Sequence, residues 1–317
     1  MDGVILASNG AYADRSEFIA EALRDRIDAE EEQFLTREVV AAPTAAIAGA
    51  VGETTESEIV TFCDWAEEDP PVLARAAGSE TNFGLHNRDW PTLFAADWLG
   101  RLTVGAGGPV TFSAFLDELA PRAWEQGKLL AARDLDRPPG AKLSAGFPTN
   151  LRKREGAEAR FRMHAVGVPS ERGNQGPLFV FGLVGVSGDA EDPLIALSPE
   201  GLTLLARLER AGVGDGPPFS TEAWNMFSEH LGQFAPKELE VWMMVLLIVA
   251  EEPDRATLVS RCHWWSGSTA DTNAMSYVAR GREWGLVANG LTDGRYRLTE
   301  LGQEYIDALR VASGRNR

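Results

Sequence analysis

The sequence predicts a mainly α chain with small β-hairpins, an α+β protein whose later part is built from tandem units. Three observations carry this. Residues 286–310 read as a strand, a tight turn, a second strand and a capped helix. A shorter parallel stands upstream, where Ile195-Ala196-Leu197-Ser198-Pro199-Glu200-Gly201 matches Tyr296-Arg297-Leu298-Thr299-Glu300-Leu301-Gly302 in pattern. Much of the remaining apolar content recurs at helical spacing.

The elements follow in order. Residues 1–35 hold an N-terminal helix, with Phe18, Ile19, Ala22, Leu23 and Ile27 on one face. Residues 36–81 are rich in Ala, Thr, Glu and Gly and read as a linker with a helix over Ser57–Glu67, ended by Asp69-Pro70-Pro71. Residues 82–212 form the first larger unit. Asp89-Trp90-Pro91 opens a helix, Thr111–Ala132 is a second with Pro121 as a kink or break, and Asn150–His164 carries the densest basic cluster. The apolar run Pro177–Val186 reads as a buried strand. Residues 213–219 are a second linker, and 220–317 form the last unit. There Pro236–Ala250 is an apolar helix, Asp254–Cys262 a short one with Asp254 as cap, and Ser268–Trp284 a third with Ser268 and Asp271 in a capping-box arrangement. Asp293-Gly294 marks the hairpin turn, because glycine accepts positive φ without steric cost. Thr299 caps a final helix whose apolar face is Leu301, Tyr305, Ile306 and Leu309.

Helix, helix, turn, helix, hairpin, helix over about 75 residues resembles the winged helix-turn-helix plan, with the hairpin as the wing and the parallel at 195–201 implying a second such unit in tandem. The resemblance implies duplex DNA binding through the third helix. Thr269, Thr272, Asn273, Ser276 and Arg280 fall opposite its apolar face, and short hydrogen-bonding side chains with an asparagine and an arginine suit base edges. Arg282, Arg295 and Arg297 would flank the groove and meet phosphates. Arg152, Lys153 and Arg154 offer a second contact, or a charged surface paired with Glu155 and Glu158. Residues 10–27, with Gly10, Tyr12, Arg15-Ser16-Glu17 and an apolar helix ending in Leu23-Arg24, are similar to the second helix of ribbon-helix-helix regulators. That similarity implies Arg15 and Ser16 as phosphate contacts at a helix start.

Charge sets a constraint on this reading. The 317 residues carry a formal net charge of −17, which repels a phosphate backbone in bulk, so the distribution of arginines decides any footprint. No apolar run approaches about 18 residues, so no membrane span is expected. The two cysteines, Cys63 and Cys262, have no metal spacing and read as free thiols of a cytoplasmic protein. His86, His164, His230 and His263 are scattered, and no glycine-rich stretch ends as a phosphate loop does, so no catalytic residue, metal or cofactor is expected. Trp264-Trp265 reads as core or interface rather than a stacking platform. Two functions remain: a non-catalytic transcriptional regulator binding double-stranded DNA as a homodimer, or a winged-helix docking subunit with protein partners in a DNA-processing, chromosome-organising or defence complex. The acidity and the apolar segment Trp242–Ile248 favour the second.

Overall fold

A computed structural model describes residues 61–312, apart from 66–67, 83–85, 151–152, 170–173, 189–190 and 266–268. The N-terminal helix, including Arg15 and Ser16, lies outside the described residues, as do Arg152 and Ser268. Residues 58–317 form one compact unit. It is mainly helical with one small antiparallel sheet.

The first half runs α1 (Trp90–Ala106), β1 (Val110–Thr111), α2 (Phe112–Arg133), α3 (Arg154–Phe161), a π-helical turn (Arg162–Val166), the single turn α4 (Pro177–Val180), β2 (Val184–Ser187), β3 (Leu194–Leu197) and α5 (Pro199–Arg210). The strands lie in the order β1-β3-β2, all antiparallel. The second half runs α6 (Thr221–Phe234), α7 (Pro236–Val249), α8 (Arg255–Arg261), α9 (Ala270–Glu283), a hairpin over 286–298, and α10 (Glu300–Ala312). Helix starts follow local chemistry. Thr111, Ser198, Ser220 and Asp254 each accept a backbone N–H of the first turn, from Ala114, Gly201, Ala223 and Thr257.

The hairpin forms as its sequence dictates. Asp293 and Gly294 take φ of 53° and 73°, the two positive values of a type I′ turn, and Thr292 and Arg295 exchange both backbone hydrogen bonds across it. Thr299 caps α10 by accepting from Gly302 N at 3.1 Å. The internal parallel extends beyond 195–201 and 296–302. Phe181-Gly182-Leu183-Val184 and Trp284-Gly285-Leu286-Val287 occupy equivalent places. Gly182 and Gly285 sit at φ 66° and 68°, closing a helix so that Leu183 N reaches Leu178 O at 2.9 Å and Leu286 N reaches Gly281 O at 2.8 Å. The cap hydroxyl then donates back to that glycine, Ser198 Oγ to Gly182 O at 2.7 Å and Thr299 Oγ1 to Gly285 O at 2.5 Å. A Cβ on Gly201 would strike Leu183 O, and one on Gly302 would strike Leu286 O. The same knot of backbone is tied twice.

Several expectations are corrected. Pro177–Val186 is not one strand: Pro177 starts a helical turn, Gly182 ends it, and only Val184 onward is extended. An apolar run alone cannot separate a buried turn from a buried strand. Residues 61–65 are not helical. Asp97 accepts from Cys63 N at 2.8 Å and from the Trp65 indole at 2.9 Å, which holds this stretch against α1. The described part of the expected linker is packed: Leu73 N donates to Leu197 O, Ala76 N to Val184 O and Ser79 N to Asn174 O, so 72–79 straps the end of the sheet. The expected 213–219 linker is packed too, with Val213 buried and Gly216 against Trp90. Pro121 lies inside α2 without breaking it.

One core runs through both halves. Phe227 stacks on Trp284 at 4.4 Å and 10°, and meets Phe181 edge-on at 5.5 Å, so an aromatic of each repeated motif packs on the same ring. Trp224 adds contacts to Trp242 and Trp284 at 5.3 and 5.8 Å. Trp265 is buried and stacks on Tyr277, a core role.

Candidate functional site

Two places gather polar side chains expected to act. The first is α9. Its amphipathic reading places Ala274, Tyr277, Val278 and Gly281 inward, and they are buried. The opposite face is not free. Thr272, Asn273 and Ser276 are buried, Arg280 is 0% exposed, and only Thr269 is half-buried. This corrects the placement of Thr272, Asn273, Ser276 and Arg280 on a groove-facing surface. Helical periodicity shows which residues share a face, but not whether a second layer covers that face.

The covering layer is a buried polar junction. Arg280 Nε donates to Asp89 Oδ1 at 2.8 Å and its Nη1 to Glu238 Oε1 at 2.7 Å. Its guanidinium lies 4.8 Å from the Trp242 ring centre, 4.9 Å from Tyr277 and 5.4 Å from Phe181. Glu238 Oε2 accepts from Tyr277 Oη at 2.8 Å and Asn82 N at 2.7 Å. Asp89 also accepts from the Trp284 indole at 2.6 Å and lies 2.8 Å from His86 Nε2. Glu283 closes the circuit at the start of α1, accepting from Asp89 N at 2.5 Å and Trp90 N at 3.1 Å. A carboxylate at a helix start satisfies N–H groups that no other residue of the helix can reach.

The electrostatics follow from burial. Burial alone raises the Asp89 carboxyl, but Arg280, His86 and Trp284 outweigh it and hold Asp89 below the usual range. Glu283 is pushed up to about 8 by burial and by the charge of Asp89, against the opposing pull of Arg88 and two backbone N–H groups. Burial works against the Arg280 charge, yet Asp89 and Glu238 keep it fully protonated. The Tyr277 phenol is raised by burial and by Glu238.

The second place is the outer surface of α3 and the hairpin. Residues 151–162 hold five basic residues, Arg152, Lys153, Arg154, Arg160 and Arg162, against two acids, Glu155 and Glu158. Lys153 and Arg154 are exposed, and Arg160 and Arg162 half-buried. Arg154 pairs with Glu158 at 2.8 Å and lies over the Trp124 ring at 5.2 Å, with Lys128 on the same ring at 5.8 Å. Such exposed ion pairs hold their partners weakly, by roughly 0–1 kcal/mol, and yield readily to a polyanion. On the hairpin, Tyr296 is buried while Arg295 is exposed and donates to Glu252 O at 3.0 Å. Arg297 pairs with Glu252 at 3.1 Å. Arg282 is half-buried, donates to Ala288 O at 3.1 Å, and covers the Tyr296 ring at 5.8 Å.

The structure therefore brings Asn273, Ser276 and Arg280 into the core and leaves Lys153, Arg154 and Arg295 on the surface. Sequence reasoning missed His86, Asp89, Glu238 and Glu283. The two charged residues before Trp90-Pro91 were a signal for Asp89, while nothing in the local pattern separates Glu238 and Glu283 from solvated helix positions. Among the described residues no group of three or more His, Cys, Asp and Glu could hold a metal ion, and no helix is long and apolar enough to cross a membrane. No protein-family model, curated protein or solved structure matches this chain.

Proposed function

We propose that the chain is a non-catalytic tandem winged-helix protein that binds duplex DNA in transcriptional control, and that its first half makes the contact. The observation that carries this is the contrast between the two halves. Helix, strand, helix, helix and hairpin, with the sheet order β1-β3-β2, support a winged-helix reading of the first half. Its third helix, α3, presents basic residues outward in a chain of net charge −17. The matching helix of the second half, α9, is committed to the core. A local basic surface on an acidic protein concentrates attraction where phosphates can approach and repels them elsewhere.

The test is charge reversal. Lys153→Glu with Arg154→Glu should weaken binding to a random duplex at least about tenfold and flatten its salt dependence, since each lost phosphate contact removes about 0.9 from the log–log slope. Arg295→Glu should act more weakly. Equal affinity for wild type and the α3 double variant would sink the assignment.

A second reading is a protein-docking subunit of a DNA-associated complex. It is favoured by the same burial of α9, which removes one potential reading helix, and by Leu291, 52% exposed beside the hairpin turn. A stable hetero-complex on purification with native neighbours, with no affinity for duplex DNA at low salt, would favour it over the first.

A further inference from the structure

A cleft of about 230 Å³ lies between α5 and α6, lined by Glu200, Leu204 and Arg207 on the first helix and Glu229, His230 and Phe234 on the second. Its charged groups are unequally satisfied. Arg207 and Glu229 pair with each other at 2.7 Å. Glu200 has no such partner: its Oε2 is buried and accepts no hydrogen bond. A buried carboxylate oxygen without a donor is costly and uncommon. His230 adds a second acceptor. The residue is 5% exposed, and its Nε2 lies 2.7 Å from Phe181 O. A carbonyl only accepts, so Nε2 carries the proton and Nδ1 keeps a lone pair. Burial holds this imidazole below its ordinary value, hence neutral. Among the described residues nothing donates to Nδ1, yet it is not shut off from water, so it faces the cleft that His230 lines.

We propose that this cleft binds a small primary ammonium ligand, its N–H groups donating to Glu200 and to His230 Nδ1 and its carbon chain lying on Leu204 and Phe234. The match is one of donors to acceptors. A primary ammonium offers three donors and no acceptor, whereas an anion or a carbonyl would set lone pair against lone pair. The last bond of a glutamate side chain turns easily, so either Glu200 oxygen can meet the ligand. Phe234 suits a cation as well: its ring stands 4.8 Å from the His230 ring and already lies 5.4 Å from the Arg75 guanidinium. Arg75 is exposed and forms no ion pair with Glu200, which leaves both acceptors open. A metal ion does not fit, because among the described residues no group of three His, Cys, Asp or Glu gathers there. The site stands whether or not α3 meets DNA, and it lies where the last helix of the first half packs on the first helix of the second.

The experiment is NMR of the full chain with nitrogen-labelled histidine, titrated with butylammonium chloride at constant ionic strength and about pH 7, where the amine is protonated. The His230 Nδ1 resonance, assigned by its loss in His230→Asn, should move to saturation at millimolar ligand. Glu200→Gln keeps the shape of the side chain and removes its charge, and should raise the dissociation constant at least about tenfold. Tetramethylammonium carries the charge without N–H donors, and butanol carries the chain without the charge; neither should reproduce the shift. A wild-type spectrum that shows no saturable movement, or moves equally with tetramethylammonium, overturns the proposal. So does Glu200→Gln binding butylammonium as tightly as the wild type. Should either variant fail to fold, the three wild-type titrations still decide, because His230 alone of the four histidines lines the cleft.

Discussion

At the scale of the residue, the molecule turns on Arg280. A guanidinium on a helix that otherwise offers Thr, Asn and Ser looks like a reader of DNA, and its sequence neighbours give no hint of Asp89, 191 positions away. Its partners became visible only in three dimensions, because ion pairs across the fold leave no periodic trace. Arg280→Ala strands Asp89 and Glu238 without their cation, so urea unfolding should show a loss of about 3–5 kcal/mol. Arg280→Met should cost a similar amount, since the two carboxyls stay in place. Glu283 gives a pH signature of its own. Its folded value is raised from the ordinary 4.5 to about 8, so its contribution is fully present below about 4.5 and is lost as pH rises toward 8. Glu283→Gln should remove that part of the pH dependence; an unaltered profile in chemical denaturation would contradict it. The cysteines differ as well. Burial pushes the Cys262 thiol up to about 12, whereas Cys63 is raised less and is half-buried, so iodoacetamide should label Cys63 first and Cys262 only after unfolding.

At the scale of the element, the repeated knot of glycine, leucine, hairpin and hydroxyl cap carries the architecture. Gly201→Ala and Gly302→Ala each drive a methyl into a backbone carbonyl that cannot yield alone, so each should destabilise by about 1–3 kcal/mol, read as a lower denaturation midpoint with unchanged slope. Gly290→Ala, with open space around it, should be nearly neutral and serves as the control. Much of this level was legible in the sequence. Asp293-Gly294 announces the turn, Thr299, Ser198 and Asp254 announce their helices, and the parallel of 195–201 with 296–302 stands in the residues alone. These signals are local: each is set by a few neighbouring residues and the φ values they tolerate. Pro177–Val186 failed because its apolar residues satisfy a buried strand and a buried turn equally well. The strap at 72–79 failed because its alanines and glycine resemble a linker until a sheet edge takes up their backbone groups.

At the scale of the whole molecule, the halves share one core and one buried ionic junction, which a reading based on linkers could not anticipate. Unfolding followed by tryptophan fluorescence and by far-ultraviolet circular dichroism should give coincident transitions for residues 58–317, whereas separate transitions would mean the halves fold apart. Function belongs to this scale too, because the net charge of −17 opposes phosphate in bulk and the proposed contact rests on the five basic residues of 152–162. The most direct test is hydrogen–deuterium exchange of the full chain with and without a duplex of random sequence at low salt. The account predicts protection over 153–162, with 270–283 already slow and unchanged. Protection confined to α9, or none anywhere under saturating duplex, would contradict it.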